Sequence, residues 1–401
     1  MPPCRYQSAV WMFVNAVPAY ESFLAPAPRR PQSGTVRFGL LSTYPPSTCN
    51  VAAFSAALSG ALTAQGSEVG VIRIADGTDY SDARVLGELV SGSPSSVAAC
   101  VAALNEADVA VIQYDDGLYG GAHGDELLSV MDGLRVPSLA IVHSVLKDPA
   151  PHQRWVLERV AAIAGRVVVM SEAARERLCG EYGIDRRKLI TIPHGAALPT
   201  SPRVKRAARP LVLSCGPLGP GKGVEHVIDA MPALQTVPGR PRYLVAGRTH
   251  PKVLAHEGEA YREARIEQAQ SRGVADSVSF DDRHYDKAAL MTLLQSAAVI
   301  VLPYDSTDEV TSGVLVDAVA SGRPVVATAF PHAVELLRDG AGICVPQGDP
   351  EALAAALRKV LTQPRLAGSM AAEARKLAPA MAWPVVATAY VQAALRLITD
   401  R

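Results

Sequence analysis

The residues with the clearest capacity for chemistry lie between Asp305 and Phe330, in the stretch DSTDEVTSGVLVDAVASGRPVVATAF. An acidic loop there leads into a short predicted helix and then into a predicted buried strand. Two carboxylates, Glu309 and Asp317, flank the expected helix start at Ser312 to Val314. The first N–H groups of a helix lack intrahelical partners and carry about half a positive charge, which suits a phosphate. The carboxylates could then bind the hydroxyls of a sugar. The simpler alternative is that Glu309 caps the helix and Asp317 is solvated.

A glycine-rich loop, Gly216 to Gly223 (GPLGPGKG), follows the predicted strand LVLSC and precedes the predicted helix VEHVIDAM. Glycines let a backbone approach phosphate closely, and Lys222 adds a compact positive charge. The spacing of Gly216, Gly221 and Lys222 nearly matches the phosphate loop of nucleoside triphosphatases. Gly223, however, stands where that motif has the Ser or Thr that ligates magnesium. The loop therefore favours a diphosphate ligand, with an empty tight turn as the alternative.

Two polar loops in the first half of the chain also follow predicted strands. The loop from Ser42 to Asn50 is stiffened by two prolines, and the predicted helix start that follows offers N–H donors around Cys49, Asn50 and Val51. The second loop, Tyr114 to His123, could place the carboxylates of Asp115 and Asp116 against a polyol acceptor. Its alternative is an ordinary glycine-rich surface loop.

Two histidines lie at the ends of predicted strands. His143 ends the strand that contains SLAIV, where a side chain points into a cleft rather than into the core. His194 lies in the turn after the strand Leu189 to Ile192 and could contact either domain or a ligand. A lone histidine is more often structural, but the position of His143 at the carboxyl end of a strand favours a functional role.

Strand and helix patterns alternate from residue 35 onward, which is typical of parallel sheets covered by helices. Near residue 200 the sequence ALPTSPRVKRAARP is rich in proline and basic residues, as expected of a linker. The first series of strands is predicted at residues 36–42, 69–74, 109–113, 138–143, 166–171 and 189–192. The second series is predicted at residues 211–215, 242–246, 278–280, 298–302 and 324–327.

This alternation predicts an α/β protein with two Rossmann-like, doubly wound domains that face each other across a cleft. We assign residues 35–200 to the first domain and residues 205–380 to the second. The amphipathic C-terminal segment, residues 383–401, is expected to pack back on the first domain. Residues 1–34, which are rich in proline, are expected to form a flexible extension. Because ligands of such sheets bind beyond the carboxyl ends of the strands, we expect the motifs above to meet in the cleft.

The composition narrows the class of protein. At 401 residues, with 49% hydrophobic residues, the chain is long enough for two separate cores. Its 39 basic and 39 acidic residues give a formal net charge of zero, which argues against nucleic acid as a partner. Most of the six cysteines are expected to be buried in a reducing cytoplasm. The apolar patch at residues 9–17 is too short to span a bilayer and does not resemble a secretory signal. We therefore predict a cytoplasmic protein without a transmembrane segment.

Together these motifs resemble glycosyltransferase family 4, retaining enzymes with the two-domain GT-B fold. The likeness extends from about Val36 to Ile398. Its most specific part is a glutamate, seven residues and a second acid, here Glu309 and Asp317, followed by GRPVVAT from Gly322. The resemblance implies transfer of a hexose, mannose or glucose, from a nucleoside diphosphate sugar without a metal or cofactor. The acceptor would be a saccharide, a lipid-linked molecule or another small molecule; the oligomeric state stays open.

The resemblance also implies roles for individual residues. Glu309 would contact the hydroxyls of the donor sugar, and Asp317 would bind the nucleotide ribose. Lys222, next to Gly221, would bind the diphosphate, and His143 would approach the hydroxymethyl group of the sugar at the reaction centre. The remaining donor contacts would come from the backbone at Thr311, Ser312 and Gly313. The acceptor and phosphate loops would contribute Cys49, Asn50, Val51, Tyr114 and Asp115.

Three positions depart from the family pattern. Asp317 replaces a longer glutamate, Pro217 stands where the family often has a phosphate-binding arginine, and Asn50 replaces a glycine. These departures keep a catalytically silent, nucleotide-binding partner open as an alternative. A phosphorylase that uses inorganic phosphate is a second alternative within the same fold. A two-lobed binding protein is a third, which the lack of a recognisable signal peptide disfavours.

Overall fold

The protein is described by a computed structural model that covers residues 35–199, 209–283 and 285–400. The predicted N-terminal extension, residues 1–34, and most of the predicted linker lie outside the described residues. Two parallel β-sheets follow one another along the chain, so the predicted α/β architecture with two doubly wound sheets is confirmed. The proposed domain limits, 35–200 and 205–380, stay predictions.

The first sheet contains seven parallel strands in the order β3-β2-β1-β4-β5-β6-β7. Every residue of its central strands β4 and β5 is buried, as expected for a parallel sheet covered on both faces. The strands are β1 (Arg37–Ser42), β2 (Glu68–Ile74), β3 (Val85–Leu89), β4 (Val109–Tyr114), β5 (Ser138–Val142), β6 (Arg166–Val169) and β7 (Leu189–Thr191). The helices between them are α1 (Asn50–Ala64), α2 (Pro94–Leu104), α3 (Glu126–Asp132), α4 (Pro151–Ile163) and α5 (Glu172–Gly180).

The second sheet contains six parallel strands in the order β10-β9-β8-β11-β12-β13. They are β8 (Leu211–Cys215), β9 (Arg242–Ala246), β10 (Val278–Asp281), β11 (Val299–Leu302), β12 (Val325–Thr328) and β13 (Gly342–Val345). The accompanying helices are α6 (Val224–Leu234), α7 (Pro251–Glu257), α8 (Ala260–Ser271), α9 (Lys287–Ser296), α10 (Gly313–Ala320), α11 (Pro331–Leu337), α12 (Pro350–Thr362) and α13 (Pro364–Leu377).

The last helix, α14 (Trp383–Thr399), packs against the first sheet rather than the second. Its apolar face, which includes Val386, Tyr390 and Leu397, lies in one core cluster with Phe38 and Leu58. Within the described residues, the helices are either too short or too polar to cross a bilayer.

Strands β3 and β13 were not predicted from the sequence, and both are edge strands. In β3 the side chain of Leu86 is 65% exposed and Gly87 has no side chain, so the segment lacks the apolar run of a buried strand. Strand β13 has only four residues, of which only the last is buried. The expectation that most cysteines are buried is also wrong for Cys49 and Cys344, which are exposed.

Candidate active site

Each sheet has one place where the chain changes the direction in which it adds strands. In the first sheet this switch point lies between β1 and β4, and in the second it lies between β8 and β11. Doubly wound sheets bind ligands at such points, beyond the carboxyl ends of the strands. The loops after these four strands contain most of the predicted site residues, among them Cys49, Asp115, Lys222 and Glu309.

Helix α10 begins with backbone donors that have no partner in the part of the chain that the structure describes. Ser312 caps the helix through its hydroxyl, and its N–H donates to Nδ1 of His332 at 2.9 Å. The N–H groups of Gly313 and Val314 make no hydrogen bond to any residue that the structure describes. The hydroxyl of Thr311 is likewise buried without a partner in this part of the chain. The helix start therefore presents the kind of donor group that binds a phosphate.

Lys222 supplies a positive charge close to this helix start. Its Nζ lies 3.9 Å from Oε2 of Glu309 and 4.2 Å from the centroid of the Tyr304 ring. Burial raises the pKa of Glu309, and the positive charge of Lys222 opposes that rise. Pro217 lines a small pocket together with Lys222 and Tyr304 but adds no charge to it. The lysine and the carboxylate that the sequence analysis singled out are thus brought together.

Gly223 excludes a phosphate loop of the triphosphatase type. The residue has a φ of +64° and forms the N-cap of α6. A Cβ atom at this position would lie 1.7 Å from the carbonyl oxygen of Pro303. A Ser or Thr cannot fit there, because both the left-handed backbone and the carbonyl require glycine. The similarity in spacing therefore does not extend to magnesium ligation by this residue.

One group of potential metal ligands occurs among the described residues. Glu225, His226 and Asp305 have ligand atoms within 4.8 Å of one another. Nε2 of His226 and Oδ2 of Asp305 are already hydrogen-bonded at 2.9 Å, and Glu225 accepts from the hydroxyl of Tyr261 at 2.7 Å. The N–H of Asp305 also donates to the carbonyl of Gly221 at 3.0 Å. These contacts support the glycine-rich loop, and the predicted independence from metal stays a prediction.

Asp317 is half-buried on α10 and close to a cation. Burial raises its pKa to about 7, and Lys287 at the start of α9 opposes that rise. Nζ of Lys287 also lies 5.4 Å from the ring centroid of Trp383. Near neutral pH the carboxyl of Asp317 is therefore partly protonated and can both donate to and accept from a hydroxyl.

His143 follows β5 directly, one residue beyond the end of the strand. Its Nε2 lies 2.6 Å from Oε1 of Gln113, and burial lowers its pKa to about 3, so the ring is neutral. Because the amide oxygen only accepts, Nε2 carries the proton and Nδ1 can accept from a hydroxyl. Gln113 thus orients the ring, a role that the sequence analysis did not assign.

His194 brings the first half of the chain against the start of α10. Its Nδ1 donates to the carbonyl of Gly195 at 2.8 Å, and its Nε2 would lie 2.9 Å from a Cβ added to Gly313. Burial lowers the pKa of His194 to about 4. The ring of Phe54 packs edge-on against His194 at 5.1 Å and against His143 at 5.0 Å. A side chain from the first half of the chain therefore borders the unpaired donors of α10.

The acceptor-side candidates differ in what they expose. Cys49 is the exposed N-cap of α1, and Asn50 is exposed at its first position. The side chain of Val51 is buried. Tyr114 was predicted as a loop residue, which is wrong: it is the last residue of β4, paired with Val142. Its side chain is buried in the core of the first sheet, and its predicted contact with an acceptor stays a prediction.

The carboxylate of Asp115, in the first half of the chain, interacts electrostatically with residues of the second half. Its carboxylate accepts a hydrogen bond from the hydroxyl of Ser144, and burial raises its pKa. The negative charge of Asp115 contributes to the raised pKa of Glu309, and Lys252 of α7 counteracts the rise at Asp115. The two switch points are therefore within electrostatic range of each other.

Contacts between the two halves hold the loop before α10, and no sequence motif indicates them. Arg177 of α5 donates to the carbonyls of Val145 and Thr307, both at 2.8 Å. The hydroxyl of Ser171 donates to the carbonyl of Val310 at 2.5 Å, and the side chain of Val310 is buried in the core of the first sheet. The segment that carries Glu309 is thus anchored to the first sheet.

A second contact joins α11 to α5. The carboxylate of Glu335 accepts from the N–H groups of Glu172 and Ala173 at 3.0 and 2.8 Å, which is the position of a helix cap. His332, which holds Ser312, belongs to the same helix. The sequence carried a signal for His332, because it lies in the first turn of the helix that follows the carboxyl end of β12. It carried none for Arg177 or Glu335.

Comparison with known families agrees with this geometry. Residues 51–198 match the model of Glycosyltransferase Family 4, and residues 201–377 match the model of Glycosyl transferases group 1. The chain belongs to glycosyltransferase family 4. The two matches divide between the first and the second sheet.

Several named proteins share part of the sequence. A D-inositol 3-phosphate glycosyltransferase of Kineococcus radiotolerans is 28% identical over 278 residues, which are 63% of this chain and 62% of the relative. A glycogen synthase of Mycobacterium tuberculosis is 28% identical over 276 residues, 64% of this chain and 62% of the relative. A phosphatidyl-myo-inositol mannosyltransferase of Mycobacterium leprae is 30% identical over 233 residues, 56% of this chain and 57% of the relative. The chain thus matches less than two thirds of the length of each.

Solved structures of other glycosyltransferases share the fold over most of the chain. A glycosyltransferase from Rickettsia africae superposes with a TM-score of 0.71 at 14% identity, covering 92% of this chain and 100% of that one. Anabaena HepE in complex with UDP and glucose superposes with a TM-score of 0.70 at 17% identity, covering 90% and 100%. These likenesses confirm the GT-B fold for this family member.

Proposed function

We propose that this family 4 member is a retaining hexosyltransferase that moves mannose or glucose from a nucleoside diphosphate sugar to an acceptor hydroxyl. One observation carries the proposal: an amine, unpaired helix N–H groups and a carboxylate converge at the switch point of the second sheet. Lys222 lies 3.9 Å from Glu309, and Gly313 and Val314 offer N–H groups without a partner among the described residues. The amine and the helix N–H groups can bind a diphosphate, and the carboxylate can bind the hydroxyls of a hexose.

The main barrier to this reaction is the charge that develops as the glycosidic bond breaks. The leaving diphosphate gains negative charge, and the sugar ring becomes oxocarbenium-like. Lys222 and the N-terminus of α10 would stabilise the leaving group without a metal. The departing phosphate would accept the proton of the attacking hydroxyl, so no separate protein base is required.

The sugar would be positioned by groups from both halves of the chain. Glu309 would accept hydrogen bonds from hydroxyls of the donor hexose. His143, neutral and oriented by Gln113, would accept one through Nδ1. Asp317 would bind the ribose, and Asp115 would lie on the acceptor side of the cleft. Positioning of this kind lowers the entropic part of the barrier, and the contacts between the halves would limit hydrolysis by water.

A panel of nucleotides tests the donor site directly. Thermal melting of the protein with UDP, GDP, ADP and inorganic phosphate should show selective stabilisation by one diphosphate. A ligand at about 100 times its dissociation constant adds about 2.7 kcal/mol to the free energy of unfolding. Stabilisation by phosphate alone, with phosphorolysis of a glucan, would instead favour the phosphorylase. Binding of a nucleotide without hydrolysis or transfer would favour the silent partner.

Lys222→Ala tests the diphosphate contact. We expect transfer, or hydrolysis of the donor, to slow by about ten- to a hundredfold, because a charge-assisted contact contributes roughly 1.5 to 3 kcal/mol. Lys376→Ala is the matched control, since Lys376 is exposed on α13 and pairs only with Glu373 in the described structure. Unchanged turnover in Lys222→Ala would refute the assignment of Lys222 to the diphosphate.

Equal rates of transfer by the wild type with and without EDTA would support transfer without a metal.

A further inference from the structure

The loop after Asp115 and the neighbouring helix α4 carry an aromatic cluster that the donor site does not use. Trp155 of α4 is 46% exposed, although large aromatic side chains are usually mostly buried. Its ring stacks on the ring of His152 with a centroid distance of 5.3 Å and an interplanar angle of 24°. His152 in turn lies 6.0 Å from the ring of His123. We call these three side chains the aromatic platform.

Carboxylates border the aromatic platform. Oδ2 of Asp125 lies 3.0 Å from Nε2 of His152, and Oδ1 of Asp116 lies 3.6 Å from Nδ1 of His123. The other oxygen of Asp116 accepts from the amide of Gln153 at 2.8 Å. Oδ1 of Asp116, by contrast, is buried and has no hydrogen-bond partner among the described residues. The platform therefore combines apolar ring faces with fixed hydrogen-bonding groups, one of which is unsatisfied.

The backbone of the loop is bent to present His123. This residue has a φ of +55°, in the left-handed region that non-glycine residues seldom occupy. Gly121 and Gly124 on either side also have positive φ, at +79° and +81°. Unusual backbone conformations of this kind are concentrated at active sites and ligand-binding sites.

Neighbouring residues of one loop connect the platform with the proposed reaction centre. Ser144 follows His143 in the chain, and its hydroxyl donates to Asp115. Asp115 precedes Asp116, which borders His123. The charge of Asp115 also acts on Glu309 across the cleft. A molecule on the platform would therefore lie along the loop that leads to the donor sugar.

We propose that the aromatic platform, with Asp116 and Asp125, is the subsite for the acceptor, and that the acceptor is an uncharged polyhydroxylated ring such as a pyranose or a cyclitol. This inference rests on the proposed transferase function. The C–H face of such a ring packs on the exposed indole, and its hydroxyls donate to the carboxylates. Two carboxylates repel a phosphorylated acceptor, and the charged border disfavours insertion into lipid.

Trp155→Ala tests the subsite, with Leu86→Ala as the matched control. Leu86 is an apolar side chain that is 65% exposed on the edge strand β3. The probes are methyl α-D-glucopyranoside, methyl α-D-mannopyranoside and myo-inositol, each added to protein and its nucleotide sugar. We expect at least one probe to stimulate release of the nucleoside diphosphate. Trp155→Ala should raise the KM for that probe about tenfold or more, while the dissociation constant for the nucleoside diphosphate, measured by calorimetry, stays the same. Leu86→Ala should match the wild type in both.

Direct binding separates failure of this inference from failure of the proposed function. Saturation-transfer difference spectra of the three probes should show contact with the wild type and with Leu86→Ala but not with Trp155→Ala. Loss of contact in Trp155→Ala without any turnover of a nucleotide sugar by the wild type would support binding of a polyhydroxylated ring to the platform and refute the transferase. The subsite would be overturned if the wild type and both variants showed equal contact with the probes or equal KM values. It would also be overturned if the spectra showed no contact with any probe. Binding of the wild type but not Trp155→Ala to phosphatidylcholine–phosphatidylglycerol vesicles would assign the platform to a membrane and also overturn it.

Discussion

At the scale of single residues, Asp317 has a charge environment that couples the site to pH. The carboxyl is half-buried on α10 near Lys287, and burial raises its pKa to about 7 from an ordinary value of 3.8. The folded protein therefore holds this proton more tightly than the unfolded chain does. The stability that this group contributes is complete below about pH 4 and is lost as the pH rises through about 7.

Asp317→Asn should remove this pH dependence. Asparagine has nearly the same shape but cannot ionise. The melting temperature of the variant should therefore rise relative to that of the wild type as the pH increases from about 4 to about 7. The gain should correspond to about 1 kcal/mol or more, since one pKa unit is worth about 1.4 kcal/mol. Asp339→Asn is the control, because the side chain of Asp339 is 75% exposed. If the melting temperatures of Asp317→Asn and the wild type change with pH by the same amount across this range, the raised pKa of Asp317 is contradicted.

At the scale of elements, the glycine-rich loop between β8 and α6 is held by its backbone. Gly223 has a positive φ and lies against the carbonyl of Pro303, whereas Gly221 has a φ of +80° but no heavy atom within 4 Å of an added Cβ. The two glycines thus share a conformational requirement and differ in the space around them. The loop carries Lys222 between them, so its shape determines where the amine lies.

Gly223→Ala and Gly221→Ala separate these two requirements. Gly221→Ala should lower the free energy of unfolding by about 1 to 2 kcal/mol, the cost of placing a Cβ in the left-handed region. Gly223→Ala should cost more and should also weaken nucleoside diphosphate binding, because the loop has to move away from Pro303. Denaturant unfolding and calorimetry measure both quantities. Equal losses of unfolding free energy and of nucleoside diphosphate affinity in the two variants would show that the close approach to Pro303 affects neither quantity.

At the scale of the whole molecule, side chains of the first half hold the loop that carries Glu309. Arg177 is nearly buried, with 8% of its side chain exposed, and donates to carbonyls from both halves. Glu335 of α11 completes the contact by capping α5. These contacts favour an arrangement in which the donor site faces the first sheet, and they are candidates for a closing step in the cycle.

Arg177→Ala should release this arrangement. The carbonyls of Val145 and Thr307 lose a charged donor, and each such hydrogen bond contributes at most about 1.5 to 3 kcal/mol. We expect a larger radius of gyration in solution scattering and a higher KM for the nucleotide sugar. Arg187→Ala is the control, because Arg187 is 91% exposed and pairs with Asp185 two residues away. A scattering curve and a KM like those of the wild type would rule out a role for Arg177 in holding the two halves together.

Local sequence determined eleven of the thirteen strands, all but the edge strands β3 and β13, and the loops at the carboxyl ends of those that carry the site. Apolar runs, glycines and helix starts are properties of neighbouring residues, so Lys222, Glu309, Ser312 and His143 could be found without a structure. The convergence of Lys222 with Glu309 followed from the general rule for parallel sheets. The family pattern supplied the expected roles, which stay predictions for this chain.

Tertiary structure alone decided which side chains meet across long separations in the chain. Arg177 contacts the carbonyl of Thr307 across 130 positions, and His332 accepts from Ser312 across 20. The burial of Tyr114 depended on the register of β4 with β5, and the aromatic platform depended on where α4 packs. Hydrogen bonds and ring contacts depend on distances in space, and hydrophobic periodicity constrains only which face of an element is buried.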